Sequence, residues 1–530
     1  MKRLSRKARI LTVVAVILAA AAVAVPLIAV ALIPGAVSMP SGAENTVINV
    51  QNVGTANATI AVDYYDPAGN LVCSKAVDNV PAGAIRSFYQ STEPCLPAGF
   101  RGVGVASSDQ PIVALEERDI LSSSGYKSYS IANAAATGGY KLAVPIALNQ
   151  LKTHDWNSRM SVVNAGSTTS CIKNTYYLAP NVGGSTVGSV VVVNDQPSGQ
   201  PGCPGGGYAI PPGGQLTFAP AGSASGITPF PSSTNDNEMA ILVEVLNPGD
   251  NRIAANVDIY RSDGNRLLGS FSANIIDASA PASDDVGTDI LIPFAIKSVS
   301  GHYTEIGAMV VAGGPADVTI HYVGVVERVG TPVDFTVTLP SVANVAFHSV
   351  YATSAIPDGF IGYARVTSTA TIAGLLLRGK LQSSTVHIDE DIYAAAGGVP
   401  IDQAATKWSV PMVLRRFAPS PPYIGYNSEI QVMVADGSTA SVTIRMVGDP
   451  ANGCPIGPYE ATFSVTGSQD FYINLDQSVG PNGFPAGQSP SCFFGGATIT
   501  ANKPVVVISN LTSDKTPGDN DAMFNAFRTP

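Results

Sequence analysis

The 530-residue sequence is poor in the side chains on which most catalytic sites depend. It has five histidines and two tryptophans, and only 13% of its residues are charged. No serine stands in a G-x-S-x-G setting, and no H-E-x-x-H pair, P-loop or strand-following G-x-G-x-x-G occurs. His154, His302, His321, His348 and His387 are scattered, and His321 and His348 fall on strand-like runs where packing is the ordinary role. The glycine-rich PGCPGGG at 201–207 lacks the lysine of a phosphate loop and reads as a loop tethered by Cys203. Long apolar periods of 3.6 residues are missing beyond residue 40. A second uncharged run long enough to cross a bilayer is missing too. Gly and Pro are plentiful, 52 and 39, without the Gly-X-Y period of collagen.

What the sequence does have begins with its leader. Lys2, Arg3, Arg6, Lys7 and Arg9 precede an uncharged apolar run at 10–33. A basic flank followed by an apolar stretch is an export signal, and this one is long enough to span a membrane as a helix. Ala36-Val37-Ser38 offers small residues for cleavage after Ser38, and Ala29-Val30-Ala31 offers a second position. A cleaved signal peptide and an uncleaved N-terminal anchor are both consistent with residues 1–38, and both send the rest of the chain across the membrane. Removing the five leader cations from the 29 Lys and Arg leaves 24 against 39 acids. A chain of that sign is repelled by phosphate backbones, so nucleic acid is excluded as a partner.

Beyond residue 40, short runs rich in Val, Ile, Thr and Tyr stop at Gly, Pro, Asn or Asp. VINVQNVG, TIAVDYYDPAG and VGVASSDQPIVAL are examples. This is the pattern of antiparallel strands in an all-β sandwich or barrel. A phrase order recurs. Asn52-Val53-Gly54 leads to Tyr64-Tyr65, and Asn164-Ala165-Gly166 leads to Tyr176-Tyr177 at the same offset. MVVAGGPADVTIHY (309–322) and VMVADGSTASVTIRM (432–446) are looser copies. Pro81, Pro211 and Pro340 each precede a phenylalanine by seven residues, at Phe88, Phe218 and Phe347, and Ser464 takes that place before Phe471. Leu96-Pro97-Ala98-Gly99-Phe100-Arg101-Gly102 matches Ile356-Pro357-Asp358-Gly359-Phe360-Ile361-Gly362, and Phe484-Pro485-Ala486-Gly487 is a broken version. Lead-ins recur at Val144-Pro145, Ile292-Pro293 and Val410-Pro411. The spacing predicts about four tandem β-sandwich domains after an N-terminal hydrophobic helix, at 39–138, 139–285, 286–402 and 403–530. The Ala-rich patches IANAAATGG (131–139) and IYAAAGG (392–398) read as linkers.

The order of these phrases resembles tandem immunoglobulin-like modules of bacterial exported cell-surface proteins, as does the His154-Asp155-Trp156-Asn157-Ser158 lead-in before MSVVNAG. The resemblance covers about 40–515 and rests on structural residues. It implies stalks, spacers or adhesive arrays, and it brings no catalytic residue, cofactor or metal. The expected partners are other cell-surface proteins or glycans, with self-assembly through edge strands. Four modules laid end to end would reach roughly 120–160 Å from the membrane.

Six cysteines fall two per copy in the first, second and fourth copies and none in the third. An even count in an exported chain predicts disulfides, here Cys73–Cys95, Cys171–Cys203 and Cys454–Cys492. Cys73 and Cys454 both follow an Asp-Pro-Ala turn. Three acidic stretches carry the oxygen ligands that Ca²⁺ takes: Asn235-Asp236-Asn237-Glu238, Asp389-Glu390-Asp391, and Asp514 with Asp519-Asn520-Asp521. None has EF-hand spacing, and solvated loop acids are the ordinary reading. Neighbouring residues on a strand face opposite ways, so one tyrosine of each Tyr-Tyr pair is expected in the core and the other outward. Trp156 and Trp408 sit near lead-ins and are expected to wedge neighbouring domains together. A secreted carbohydrate-binding or enzyme-accessory module is the alternative to a structural or adhesive surface protein.

Overall fold

Strand chemistry dominates the chain. In the computed structural model the described residues are 29–33 and 42–529, less several short segments, the longest at 381–392 and 474–482. Among them the sheets are antiparallel apart from one short parallel pairing, and the described helical elements are three-residue 3-10 turns. No helix among the described residues is long and apolar enough to cross a membrane. The expected leader helix lies outside the described residues except at Ala29–Ile33, which forms a strand.

The sheets fall into four sandwiches, each closing over its own apolar core. The first uses Gly42–Asn133 and the second Lys141–Ile276. The third runs from Val286 to Pro400 and the fourth from Ala405 to Arg528. In the third and fourth, a single long strand serves both layers. Phe360–Lys380 pairs with Val286–Val299 and Ala316–Gly324 early, then with His302–Ala312 and Tyr393–Gly397. Phe493–Ser513 does the same in the fourth. Thr186–Val187 leaves the second sandwich and pairs with Val345–Ser349 of the third.

The repeated phrases have physical reasons. Asn52 Oδ1 accepts the Gly54 amide at 2.9 Å, and its Nδ2 donates to Val80 O at 2.9 Å. Asn164 repeats this with Gly166 at 2.8 Å and Ile210 O at 2.8 Å. The N-x-G turn is thus an Asx turn whose free amide ties it to a strand end. Tyr64 and Tyr176 are fully buried, while Tyr65 and Tyr177 are half-buried, as strand alternation requires. Phe88, Phe218 and Phe471 are buried, and the Phe347 side chain lies outside the described residues.

The F-x-G phrase is set by close backbone approach. A Cβ on Gly102 would sit 1.9 Å from Tyr65 O, and one on Gly362 would sit 2.0 Å from Val323 O. In the fourth sandwich this role belongs to Phe493-Phe494-Gly495, where a Cβ on the glycine would sit 2.3 Å from Val447 O. Phe484, which heads the broken sequence copy, packs instead against Phe463 at 5.7 Å between ring centroids. Each phrase's phenylalanine meets a tyrosine edge-on: Tyr64–Phe100 at 6.3 Å, Tyr322–Phe360 at 6.5 Å and Tyr459–Phe493 at 6.1 Å. The second sandwich, which has no readable closing phrase, uses Phe230 against Tyr176 at 5.9 Å.

The sandwiches do not lie end to end. One late strand of each, Lys127–Asn133, Leu267–Ser272, Tyr393–Gly397 and Ala522–Asn525, touches the next in that order, and the fourth returns to the first. The chain therefore closes a ring. This overturns the extended rod, and the reason is packing. The outer faces carry apolar residues that a rod would leave wet. Ile85, Leu115, Tyr129 and Ile131 of the first sandwich are buried in one core with the fourth. Met309, Ala373, Leu375 and Leu377 of the third are buried with the second. Each large side chain so buried contributes about 1.5–3 kcal/mol.

The leader takes part in this fold. Ala29–Ile33 runs antiparallel to Gly102–Ser108, with Ile33 opposite Gly102. The corresponding strand edges of the other sandwiches receive the lead-in strands Lys141–Asn149, Val286–Val299 and Ala405–Arg415. The sequence agrees. Leu32-Ile33-Pro34-Gly35-Ala36 followed by Ser41-Gly42 matches Leu291-Ile292-Pro293-Phe294-Ala295 followed by Ser300-Gly301, with six identities in eleven ungapped positions. A fourth lead-in thus lies inside the apolar run. Removal of residues 1–38 is expected to destabilise the first sandwich by about 2–5 kcal/mol, taking about 0.5–1.5 per lost ladder hydrogen bond. Removal of 1–28 is expected to leave it unchanged. Limited proteolysis and thermal melting of the two truncations decide this, and equal stability would mean the strand contributes nothing.

Candidate functional site

The ring creates two kinds of site: a hub where four strands converge, and seams between neighbouring sandwiches. The hub is built from small residues. Ala132, Ala273, Ala395, Ala396, Gly397 and Gly398 all line it. A Cβ on Gly397 would already approach Asn525 Nδ2 to 3.1 Å. Ser272 Oγ donates to Asn133 O at 2.6 Å, and Asn133 Nδ2 donates to Asn525 O at 2.8 Å, linking three sandwiches in sequence. The patches 131–139 and 392–398 are therefore hub walls in their described parts, not linkers. Their smallness is what lets the strands meet.

At the hub lies a cavity of about 300 Å³ bordered by all four sandwiches. Its walls include Phe271, Trp408, Met523 and Phe524, together with Asn274, Gln403 and Asn525. Asn274 Oδ1, Gln403 Oε1 and Asn525 Oδ1 are buried and have no hydrogen-bond donor among the described residues. Trp408 is buried, and its Nε1 donates to Val505 O at 2.8 Å. It belongs to the fourth sandwich's own core as well as to the hub, so its expected wedge role holds in part. The Trp156 side chain lies outside the described residues.

The seam between the first and second sandwiches holds a buried ion cluster. Arg159 Nε lies 2.8 Å from Asp258 Oδ2, and an Arg159 terminal nitrogen lies 3.3 Å from Glu44 Oε1. Arg118 pairs with the same Asp258 and reaches Glu44 at 3.0 Å. Ser270 Oγ donates to Asp258 Oδ1 at 2.6 Å, and Asn256 Nδ2 donates to Glu116 Oε2 at 3.1 Å. Three carboxylates thus face two guanidinium groups. Burial pushes the Glu116 carboxyl well above the usual carboxylate range, and neighbouring Asp258 adds to it. Burial also raises Glu44 and Asp258, with Arg159 opposing in both.

The seam between the third and fourth sandwiches is built similarly. Arg378 approaches Asp521 at 3.5 Å and Glu429 at 3.8 Å. Between the second and third, Glu238 is buried with its carboxyl pushed well up, chiefly by burial and then by Glu305.

These placements account for several sequence candidates. All six cysteines pair as expected, Cys73–Cys95, Cys171–Cys203 and Cys454–Cys492. Glu238 and Asp521, two of the acids considered for Ca²⁺, are buried at seams rather than solvated in loops. Asp236, Asp389, Glu390, Asp391, Asp514, Asp519 and Asn520 lie outside the described residues, as do the side chains of His154, His348 and His387. Among the described residues no group of three His, Cys, Asp or Glu is placed to hold a metal. Sequence reasoning missed Glu44, Glu116, Arg118, Arg159 and Asp258. Their signal is charge placed within strand runs, as in ALEERD and NSRMSVV.

The ion cluster has a pH signature. Carboxyls raised above their ordinary values make the folded ring bind more protons than the unfolded chain. Their favourable contribution is fully present below the unfolded value of about 4.5 and is lost as pH rises through the folded values. The thermal midpoint is expected to fall between about pH 5 and pH 8. Glu116→Gln is expected to flatten that decline and raise the midpoint at pH 8, with little effect at pH 5. Arg159→Leu, which strands Asp258 and Glu44, is expected to cost about 3–5 kcal/mol. Melting curves across pH measure both, and an unchanged slope in Glu116→Gln would refute the assignment.

No family model matches the chain, and no curated protein matches it. Among solved structures, the Anabaena sensory rhodopsin transducer is 18% identical over 20% of this chain and 94% of its own, with a TM-score of 0.13. The arabinofuranosyltransferase AftD from Mycobacteria is 10% identical over 91% of this chain and 32% of its own, with a TM-score of 0.11. Escherichia coli alpha-2-macroglobulin is 8% identical over 94% and 52%, also with a TM-score of 0.11. Likenesses of this size carry neither fold nor function over to this chain.

Proposed function

We propose that this chain is an exported, non-catalytic structural or adhesive component of the cell surface, built from immunoglobulin-like sandwiches. The observation that carries the reading is the pairing of all six cysteines within three of the four sandwiches. Disulfides of this kind persist outside the reducing cytoplasm, and each contributes about 3 kcal/mol by constraining the unfolded chain. The basic-apolar leader and the excess of acids over bases beyond it support the same compartment. Contacts with partners have a physical basis at the sheet edges. Leu71–Val80 and Val191–Asp195, each flanking the tyrosine-bearing strand of its sandwich, expose Leu71, Val72, Val191 and Val192. Exposed apolar edge strands add further strands, from a neighbour or from another copy.

A second reading, carbohydrate binding, is favoured by the hub cavity. Carboxamide oxygens with no donor among the described residues suit a ligand rich in hydroxyl groups, and the aromatic walls suit its C–H faces.

Surface labelling of intact cells, with sedimentation of the purified protein, tests the first reading. The expected result is surface exposure, together with assembly that Val191→Lys and Leu71→Lys weaken at least about tenfold, the scale of a lost strand-edge contact. A cytoplasmic location with six alkylatable thiols would overturn it. Saccharide binding lost on Asn525→Ala would favour the second.

A further inference from the structure

Each sandwich sends one late strand to the hub, and the four strands end in step. The amides of Ala134, Ala273, Gly398 and Ala526 each donate back into their own sandwich, to Ala114 O at 3.0 Å, Ala255 O at 2.9 Å, Gly374 O at 2.9 Å and Val507 O at 3.0 Å. The residues just before them, Asn133, Ser272, Gly397 and Asn525, therefore hold corresponding places around the hub. Asn133 and Ser272 use their side chains to reach a neighbouring sandwich. Gly397 has no side chain to reach with.

The space that Gly397 leaves open is bordered by two carboxamides. An ideal Cβ on Gly397 would stand 3.1 Å from Asn525 Nδ2 and 3.8 Å from Asn274 Nδ2. Gln403, in the three-residue turn Ile401–Gln403, lines the same cavity of about 300 Å³. Asn274 and Gln403 are only 4% and 5% exposed, and Asn525 is half-buried. Asn274 Nδ2 donates to Asp285 O at 3.1 Å, which fixes the way that carboxamide faces. Asn274 Oδ1, Gln403 Oε1 and Asn525 Oδ1 have no donor among the described residues. Asp285 and Arg528, one of each sign, also line the cavity and are exposed.

We infer, resting on the carbohydrate reading of the hub, that this cavity binds a single amino-sugar residue whose ammonium group donates to the carboxamide oxygens of Asn274, Gln403 and Asn525. Three acceptors call for three donors. A primary ammonium has three N–H donors and no acceptor to satisfy. A water molecule has two protons to give, and a hydroxyl group has one. An anion would set its lone pairs against those of the carboxamides. Hydrogen bonds from a charged donor are roughly twice as strong as neutral ones, which offsets the hydration lost on entry. Phe271 and Phe524 in the wall supply apolar surface for the C–H face of a sugar ring. About 300 Å³ is the small end of ligand cavities, so it admits one sugar residue rather than a chain. The same geometry accounts for glycine at 397, since a larger residue would fill the space between the Asn274 and Asn525 carboxamides.

The test uses the full chain and two probes, glucosamine and glucose, which differ only in an amino group against a hydroxyl. Calorimetric titrations are run at about pH 6, where an amine of ordinary α-amino basicity is protonated. Saturable glucosamine binding is expected, with glucose at least about tenfold weaker, as the exchange of charged for neutral donors requires. Gln403→Glu, which keeps the shape and adds a charge, is expected to tighten glucosamine at least about tenfold and to leave glucose unchanged. Gly397→Ala is expected to weaken glucosamine by a similar factor. Circular dichroism checks that both variants keep the native sheet content. Glucose binding as tightly as glucosamine overturns the ammonium assignment and leaves the carbohydrate reading standing. Binding of neither sugar overturns both. The comparison of the two probes on the unmodified protein decides the matter even if a variant fails to fold.

Discussion

Four β-strands meet at the centre of this molecule, one from each sandwich, and the space between them sets what their side chains can be. Alanine and glycine occupy the closest approach, and the hydrogen bonds there run from Ser272 to Asn133 and from Asn133 to Asn525. Larger residues would push the strands apart and open every seam at once, because a closed ring has no free end to absorb the displacement. Side-chain volume at a few hub positions therefore governs contacts made some distance away.

Once the ring is closed, each seam solves a different burial problem. Two are largely apolar, with Ile85, Leu115 and Tyr129 joining the fourth sandwich's core, and Met309 and Leu375 joining the second's. Two rely on guanidinium groups, Arg118 and Arg159 at one and Arg378 at the other. A buried ion cluster adds little net stability against an apolar alternative, but it penalises wrong partners heavily. Alternating the two kinds gives each sandwich one apolar and one charged flank. Mispairing then sets charge against hydrocarbon, and the order around the ring is enforced.

Much of this was legible in the sequence, and the parts that were not share a cause. The N-x-G turns, the inward tyrosines, the phenylalanines seven residues past a proline and the three disulfides all act within one sandwich, so local spacing reports them. The hub and seams depend on pairs such as Asn133 with Asn525, or Arg159 with Glu44, whose members are hundreds or scores of residues apart and unremarkable within their own strands. Short alanine runs read as linkers because small residues serve loops and tight strand junctions alike. The lead-in at Leu32-Ile33-Pro34 was hidden for a related reason, since hydropathy does not separate a membrane-spanning run from a strand buried in a sheet. The closing phrases of the second and fourth sandwiches escaped notice because their phenylalanines, Phe230 and Phe493, keep the ring contact while the surrounding letters have drifted.

Three of the four joints in this ring are also joined by peptide, which keeps the partners at high local concentration whether or not their surfaces hold. The joint between the last sandwich and the first has no such tether. Opening that joint alone would leave the other three threaded on one backbone, like a bracelet released at its clasp.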